Sequence, residues 1–370
     1  MSLAHVQLEA DRKRLGRTPS LLRRKWERMA ISPFAFLRGA SALWAEALRQ
    51  EPGLLRGLPG TGTLVGDLHL ENIGTFRTAR GVTLHVNDFD ETFDGPWSFD
   101  VARLLTSTLL ARPELGCTGL QVIALAKQIL DGHAAGVAGA PARLPSPLTL
   151  AVQAASVKTD DKYLAKRLEA PGKLVRDEKM PPAPAWCLPL VKRAVAAWSE
   201  ATKQREPVSL VDLTRRVAGT GSLGVERLVA LIKVGDVSRL LELKEVRGSS
   251  FADVQADAVH LLESWAKCLP RPPLDLAAAL LGEIPVIVRP LFACDDKLAV
   301  EDFDRAALPQ TMKAIGVMAG EVHRRGAKTM GKWTAEHHRV LMERAAHLAG
   351  LHEQAFVAFC QGVHEQFGDL

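Results

Sequence analysis

Gly66-Asp67-Leu68-His69-Leu70-Glu71-Asn72, followed by Asn87-Asp88-Phe89-Asp90, is the stretch on which the reading of this chain turns. TLVGD just before it and VTLHVND just after it look like short buried strands, each ending in an aspartate. Phosphoryl transfer needs a carboxylate near the attacking hydroxyl and oxygen ligands that hold Mg²⁺ against phosphates. Asp67 and Asn72 offer both on one loop, and Asp88 at the next strand end completes a metal site across a hairpin. An Asp-x-x-x-x-Asn spacing alone carries little, since a chain of this size should contain roughly one by chance. The weight lies in the context of strand, loop, strand and Asp-Phe-Asp. The competing reading makes Asp67 and Asp88 turn-capping aspartates at strand ends.

Far along the chain stands Gly219-Thr220-Gly221-Ser222-Leu223-Gly224. Glycines at this spacing let backbone N–H groups approach phosphates, because no Cβ obstructs them. Lys244 follows in LLELKEV; as a strand, this run puts Leu241 and Leu243 on one face and Glu242 and Lys244 on the other. A lysine there reaches toward phosphates, or is simply exposed on a half-buried strand. Glu263, in the helical run after it, is a candidate partner for Lys244, or a solvated glutamate. A dinucleotide-binding reading of the glycines needs a buried strand before them and a full helix after them. LTRRVAG is too polar for the first, and VERLVALIK is too short for the second.

Around these motifs the pattern divides the 370 residues into two domains or one two-lobed domain. The first fifty residues have helical spacing, with Ser32-Pro33 opening PFAFLRGASALWAEALRQ. Residues 97–202 are mostly helical. SLVDLTRRVAG, GSLGVERLVALIKV and SRLLELKEV read as three strands, 251–268 as a helix, IPVIVRPLF as a strand, and the chain from Glu301 onward as helical. A strand-rich block, 207–293, thus sits between helical blocks 1–206 and 294–370, an α+β arrangement.

With 47 basic against 42 acidic residues, the net charge of +5 is too small and dispersed to imply nucleic acid, though it suits a phosphate-bearing ligand. Five scattered cysteines without a CxxC pair argue against a disulfide framework or zinc site and for a reducing compartment. No stretch is long and apolar enough to span a bilayer, and the N-terminus lacks the apolar core of a signal peptide. The expectation is a cytoplasmic protein with no membrane or nucleic-acid partner.

GDLHLEN with NDFDE resembles the catalytic and metal loops of aminoglycoside phosphotransferases and choline-kinase-like enzymes, members of the protein-kinase-like superfamily. SPFAFLRGA, GDLHLENIG, NDFDETFDGPWSFDVARL, GTGSLG and LLELKEV together resemble, over most of the chain, the bacterial family called domain of unknown function 2252. A kinase runs glycine loop, lysine strand, glutamate helix, hinge, helix, catalytic loop, metal loop. Here the last two come first, and GVMAGEVHRRG resembles the helix that normally precedes them. The resemblance therefore implies a two-lobed protein-kinase-like fold, circularly permuted, with a helical lobe and a small strand-rich lobe.

Residue by residue, the resemblance implies Asp67 as catalytic base or hydroxyl-orienting residue, Asn72 and Asp88 as Mg²⁺ ligands, and Asp90 as an additional one. Gly219, Gly221, Ser222 and Gly224 would cover the phosphates of ATP and Lys244 would grip them. Residues 288–291, including Val288 and Leu291, would offer backbone groups to adenine. Asp100 would brace the catalytic loop, or cap its own helix. Arg38 would contact phosphate or substrate, or pair with a core carboxylate, and His69 would act as a base or pack. Gly66 stands where kinases have the arginine of His-Arg-Asp, Asp90 replaces the glycine of Asp-Phe-Gly, and Val225 lies one residue early. The first argues against control by activation-loop phosphorylation, the second favours the small-molecule kinase branch over protein kinases, and the third leaves the register of the glycine loop open. The implied activity is ATP- and Mg²⁺-dependent phosphoryl transfer to a hydroxyl; the alternatives are a nucleotide-binding pseudokinase that regulates, and nucleotidyl transfer.

Overall fold

Four helices open the chain: α1 (Leu3–Leu15), α2 (Pro19–Met29), α3 (Pro33–Gly39) and α4 (Ser41–Gln50). The Ser32 hydroxyl accepts the Ala35 N–H at 3.1 Å, so α3 starts where Ser-Pro predicts. The run expected as one helix breaks at Ala40. Gly39 there meets α2, and a Cβ on it would lie 2.6 Å from Met29. The structure is a computed structural model describing residues 2–15, 18–217, 219, 223–251 and 255–368; Gly221 and Ser222 lie outside the described residues.

β1 (Thr61–Leu64), β2 (Ile73–Thr78), β3 (Gly81–Val86) and β4 (Phe93–Pro96) follow, then α5 (Ser98–Leu110), α6 (Gly119–Val137), α7 (Ser146–Ser156) and α8 (Asp160–Ala165). A two-strand hairpin, β5 (Leu168–Ala170) and β6 (Lys173–Leu174), precedes α9 (Cys187–Ala201). Next come β7 (Val208–Arg215), β8 (Arg227–Val234), β9 (Val237–Glu245), α10 (Ala258–Cys268), β10 (Ala277–Leu281), β11 (Ile284–Pro290) and β12 (Asp296–Lys297). The chain ends with α11 (Leu308–Gly326), β13 (Ala327–Thr329) and α12 (Ala335–Phe367). The result is a mixed α+β protein, and among the described residues no helix is long and apolar enough to cross a membrane.

The strand-rich block forms one antiparallel sheet in the order β10-β11-β9-β8-β7. Leu228, Ala230, Leu241, Leu243, Val286 and Val288 turn to one side and bury against Val191, Ala194 and Trp198 of α9. The other side divides. Val229, Leu231 and Leu240 pack with Leu174, while Glu242 and Lys244 stand beside them in the same strands, as the alternation predicts. The two leucines 241 and 243 are fully buried, and this burial fixes the register.

The helical body buries its own core, drawn from α4–α6, the short strands, α11 and α12. α6 and α11 touch backbone to backbone. Gly132 and Gly136 meet Gly316 and Gly320, and a Cβ on any of the four would lie 2.2 Å from a carbonyl oxygen of the opposite helix. β1 lies between β4 and β13, and β2 between β3 and β12. α1–α3 close on the end of α12 through Trp26, Phe36 and Phe359. β2, β10 and β13 had no counterpart in the sequence reading, because Gly-, Thr- and Ala-rich runs such as IGTFRT and AAALL become strands through pairing.

Candidate active site

The Asp67 loop is fixed from the core outward. Gly66 has φ +92°, and a Cβ on it would stand 2.0 Å from the Glu91 carbonyl oxygen, so only glycine lets β1 turn here. Asp100, fully buried in the first turn of α5, accepts the N–H groups of Val65 at 2.7 Å and Gly66 at 2.9 Å. It makes no cap to its own helix; bracing the loop is its role. Behind it His323 Nε2 lies 3.1 Å from the carboxylate, and His133 Nε2 lies 2.9 Å from His323 Nδ1. A polar chain of three buried side chains thus ties the loop to α11 and α6.

Asp67 holds Arg103, whose Nε donates to Oδ1 at 2.5 Å. Burial pushes the Asp67 carboxyl up to about 6, with Arg103 opposing it. Asn72 Nδ2 donates to the Asp67 carbonyl oxygen at 2.9 Å, while its Oδ1 is buried with no hydrogen-bond partner. An unengaged buried amide oxygen demands an explanation, and a hard cation supplies one. His69 accepts the Glu71 N–H at 3.2 Å and sits edge-on to Phe34. Burial and the charges of Arg38 and Arg103 hold its pKa well below the usual value. Arg38 pairs with Glu71 at 2.5 Å, the carboxylate-partner alternative of its two readings.

Lys244 reaches from β9 to Asp90 and stands 3.9 Å from Asp88, with Lys297 3.4 Å from Asp88 on the other side. Burial would raise the Asp88 pKa, but Lys244, Lys297 and Arg227 prevail and hold it below the usual carboxylate range. The charge of Asp88, added to burial, raises the pKa of Asp90 against the pull of Lys244. Glu263 is exposed on α10, and Lys244 has two carboxylates closer than it; the weak Lys244–Glu263 pairing is not formed. Among the described residues no three His, Cys, Asp or Glu side chains converge as a metal cage. A cation here would rest on Asp88, Asn72 Oδ1 and, once Lys244 moves, Asp90. Such a donor set fits Mg²⁺, which keeps several positions for water and phosphate oxygens.

Asp67, Asn72, Asp88, Asp90, Lys244 and Lys297 line one cleft of about 670 Å³ between the sheet and the helical body. Gly219 lines it too, with φ +79°, and its carbonyl accepts from Arg28 Nη1 at 2.5 Å. Gly224 does not: a Cβ on it would lie 2.3 Å from Leu15, so this glycine admits α1 rather than a phosphate. Val288 and Leu291 are likewise misassigned. The Val288 backbone lies inside the sheet, paired between Ala277 of β10 and Leu243 of β9, and the Leu291 N–H donates to the Leu240 carbonyl at 2.9 Å. Ile287, Pro290 and Phe292 face the cleft instead, because alternation puts 287, not 288, on the Lys244 side.

Three features had no counterpart in the sequence reading. α1 and α2 wall the cleft through Arg14, Lys25 and Arg28. Glu91, also in the wall, takes the Ser250 N–H at 2.5 Å and hydroxyl at 3.1 Å, and burial raises its carboxyl to about 7. Most unusual is Glu242, fully buried and bonded to Arg216 at 2.8 Å and Arg289 at 2.9 Å, with Arg227 at 3.4 Å. A carboxylate set between Leu241 and Leu243 was the available signal; the cross-strand register bringing Arg289 opposite Glu242 was not.

A family model matches residues 17–143 and 140–267, and the chain belongs to that family, described as an uncharacterized protein conserved in bacteria (DUF2252). No curated protein and no solved structure matches it.

Proposed function

We propose that this protein is an ATP- and Mg²⁺-dependent phosphotransferase acting on a hydroxyl of a small-molecule acceptor, with a circularly permuted protein-kinase-like fold. The observation that carries the reading is that Asp67, Asn72 and Asp88 share one cleft with Gly219 and Lys244, which lie more than a hundred residues away in sequence. The order of parts agrees. Gly219 and Gly224 between β7 and β8, a lysine on β9, the helix α10, the end of β11 and then α11 follow one another as in a kinase, and β13 after α11 pairs directly with β1 ahead of Asp67. In this reading 207–293 is the nucleotide lobe, and 1–206 with 294–370 makes the helical catalytic lobe.

The chemistry asked of the residues is modest. Asp67, oriented by Arg103 and braced through Gly66 by Asp100, takes the proton of the acceptor hydroxyl. The hydroxyl oxygen forms the new bond to the γ-phosphorus as the bond to the β-phosphate oxygen breaks and ADP leaves. Lys244 exchanges Asp90 for phosphate oxygens, freeing that carboxylate. Asp88 and Asn72 would hold Mg²⁺, which would supply positive charge against the phosphates. A raised Asp67 pKa suits a base working near neutrality. The guanidiniums around Glu242 favour one second reading, nucleotidyl transfer with the triphosphate reversed in the cleft.

Thermal shifts with ATP, with and without Mg²⁺, on wild type, Asp88→Ala and Lys244→Ala test the proposal. ATP with Mg²⁺ should raise the melting temperature of the wild type and of neither variant, since only ligands that bind the folded state stabilise it. Equal shifts in all three proteins would remove the site. Product mass separates phosphoryl from nucleotidyl transfer.

A further inference from the structure

Arg14, in the last turn of α1, lines the cleft half-buried, and its Nε is sealed from solvent without a hydrogen bond. Among the described residues its side chain makes no hydrogen bond and no ion pair. Every other arginine of the cleft wall is bonded to a carboxylate or a carbonyl oxygen. Three acids act on Arg14 from a distance, and each is bonded elsewhere. Asp11 is taken by Lys25, Trp26 Nε1 and Gln7 Nε2, Glu91 by Ser250, and Glu245 by Arg247 and the Glu226 N–H. Burial, with the nearby charge of Arg247, outweighs these acids and holds the pKa of Arg14 below its ordinary value. Guanidinium nonetheless stays protonated in a protein. A charged group kept in such a place with its donors unused is costly until an anion arrives with a ligand.

We infer that Arg14 is a ligand-binding residue, and that its two Nη groups take a phosphate at the glycine-turn end of the cleft. Packing sets its place there. A Cβ on Gly224 would lie 2.3 Å from Leu15 and 3.6 Å from Arg14 Cγ, so α1 is seated on that turn. Arg28 holds the Gly219 carbonyl and Arg247 the Gly224 carbonyl, the latter at 2.6 Å, whereas both terminal nitrogens of Arg14 are left for the cavity. A planar fork matches two oxygens of one anion, which a neutral hydroxyl or a ring cannot offer. The Asp67 loop adjoins this end: Glu91, whose charge reaches Arg14, has its carbonyl against Gly66. In the proposed function the donor's terminal phosphate meets the acceptor here, so the phosphate belongs to one or the other. That assignment rests on the proposed function; the anion site itself does not.

Arg14→Met in the full chain separates a ligand-serving arginine from a structural one. It removes a buried unpaired donor and no hydrogen bond or ion pair, so its urea midpoint should be no lower than that of wild type. In calorimetric titration with inorganic pyrophosphate, in EDTA and at fixed ionic strength, wild type should bind and the variant should lose on the order of tenfold in affinity. A lower midpoint, an unchanged affinity, or a wild type that does not bind pyrophosphate overturns the inference. Binding that survives Arg14→Met and is abolished by Lys244→Met overturns it while sparing the proposed function. Arg14-dependent pyrophosphate binding in a protein that ATP with Mg²⁺ does not stabilise upholds the inference and removes the proposed function. Titration of both proteins with ATP and Mg²⁺ separates the sources. Weaker binding by Arg14→Met assigns the phosphate to the donor, and equal binding assigns it to the acceptor.

Discussion

Replacing Asp100 by alanine removes a buried carboxylate that carries the turn between β1 and the Asp67 loop. Its carboxylate accepts from Val65 N, Gly66 N and His323 Nε2, and none of the three has water to turn to, because Asp100 and His323 are fully buried. An orphaned buried donor costs about 1–3 kcal/mol, so three of them, partly relaxed, cost about 4 kcal/mol. Folded proteins of this kind have about 5–15 kcal/mol in total, so the change removes a large share. At about 2.1 cal/mol/K per residue, 370 residues give an unfolding entropy of about 0.8 kcal/mol/K, which translates to a fall of about 5 °C in melting temperature. Circular dichroism melts and urea titration measure both numbers. Nucleotide affinity should fall further than stability alone explains, because Gly66 and Asp67 lose their anchor. A loss under about 1 kcal/mol, with nucleotide binding intact, would mean that the Asp100–His323–His133 chain does not hold the loop.

The remaining expectations concern packing and protonation. Gly320→Ala puts a Cβ 2.2 Å from the His133 carbonyl oxygen, so α6 and α11 must part; overpacking of this kind costs about 1–3 kcal/mol in urea unfolding, and an unchanged midpoint would contradict the backbone contact. Lys25→Met leaves buried Asp11 with Trp26 Nε1, Gln7 Nε2 and the charge of Arg14 but without its ion-pair partner; about 3 kcal/mol should be lost by the same measurement, and a neutral result would show that pair to be dispensable. The proposed phosphoryl transfer should fall as pH drops through about 6, where Asp67 takes up a proton, and Asp67→Asn should lose that acid limb together with roughly a hundredfold or more in rate. The linkage has the opposite sign for stability. The folded state binds this proton more tightly than the unfolded chain does, so stability from Asp67 is greatest in acid and declines as pH rises from the ordinary carboxylate range to about 6. Asp67→Asn should flatten that part of the stability profile, and an unchanged slope would assign it elsewhere.

Much was legible locally. The Ser32-Pro33 helix start, the strands ending near Asp67 and Asp88, and the faces of β9 all follow from capping, burial and alternation, which act within a few residues. The chain's own periodicity therefore determined an α+β protein with a strand-rich block near 207–293, and it put Glu242 beside Lys244. What it could not supply was the company each residue keeps. Gly224 looks like its neighbour Gly219 in sequence, yet one admits Leu15 and the other lines the cleft. Val288 and Ile287 differ by one step of a strand whose register only its partner β9 decides. The Glu242 clamp draws on three strands, and the Asp100 brace joins α5 to α11 and α6, across separations of tens to hundreds of residues. Those contacts exist only after the sheet and the helix pair have formed, because a side chain's charge and shape specify what it needs, and tertiary packing alone decides what it meets.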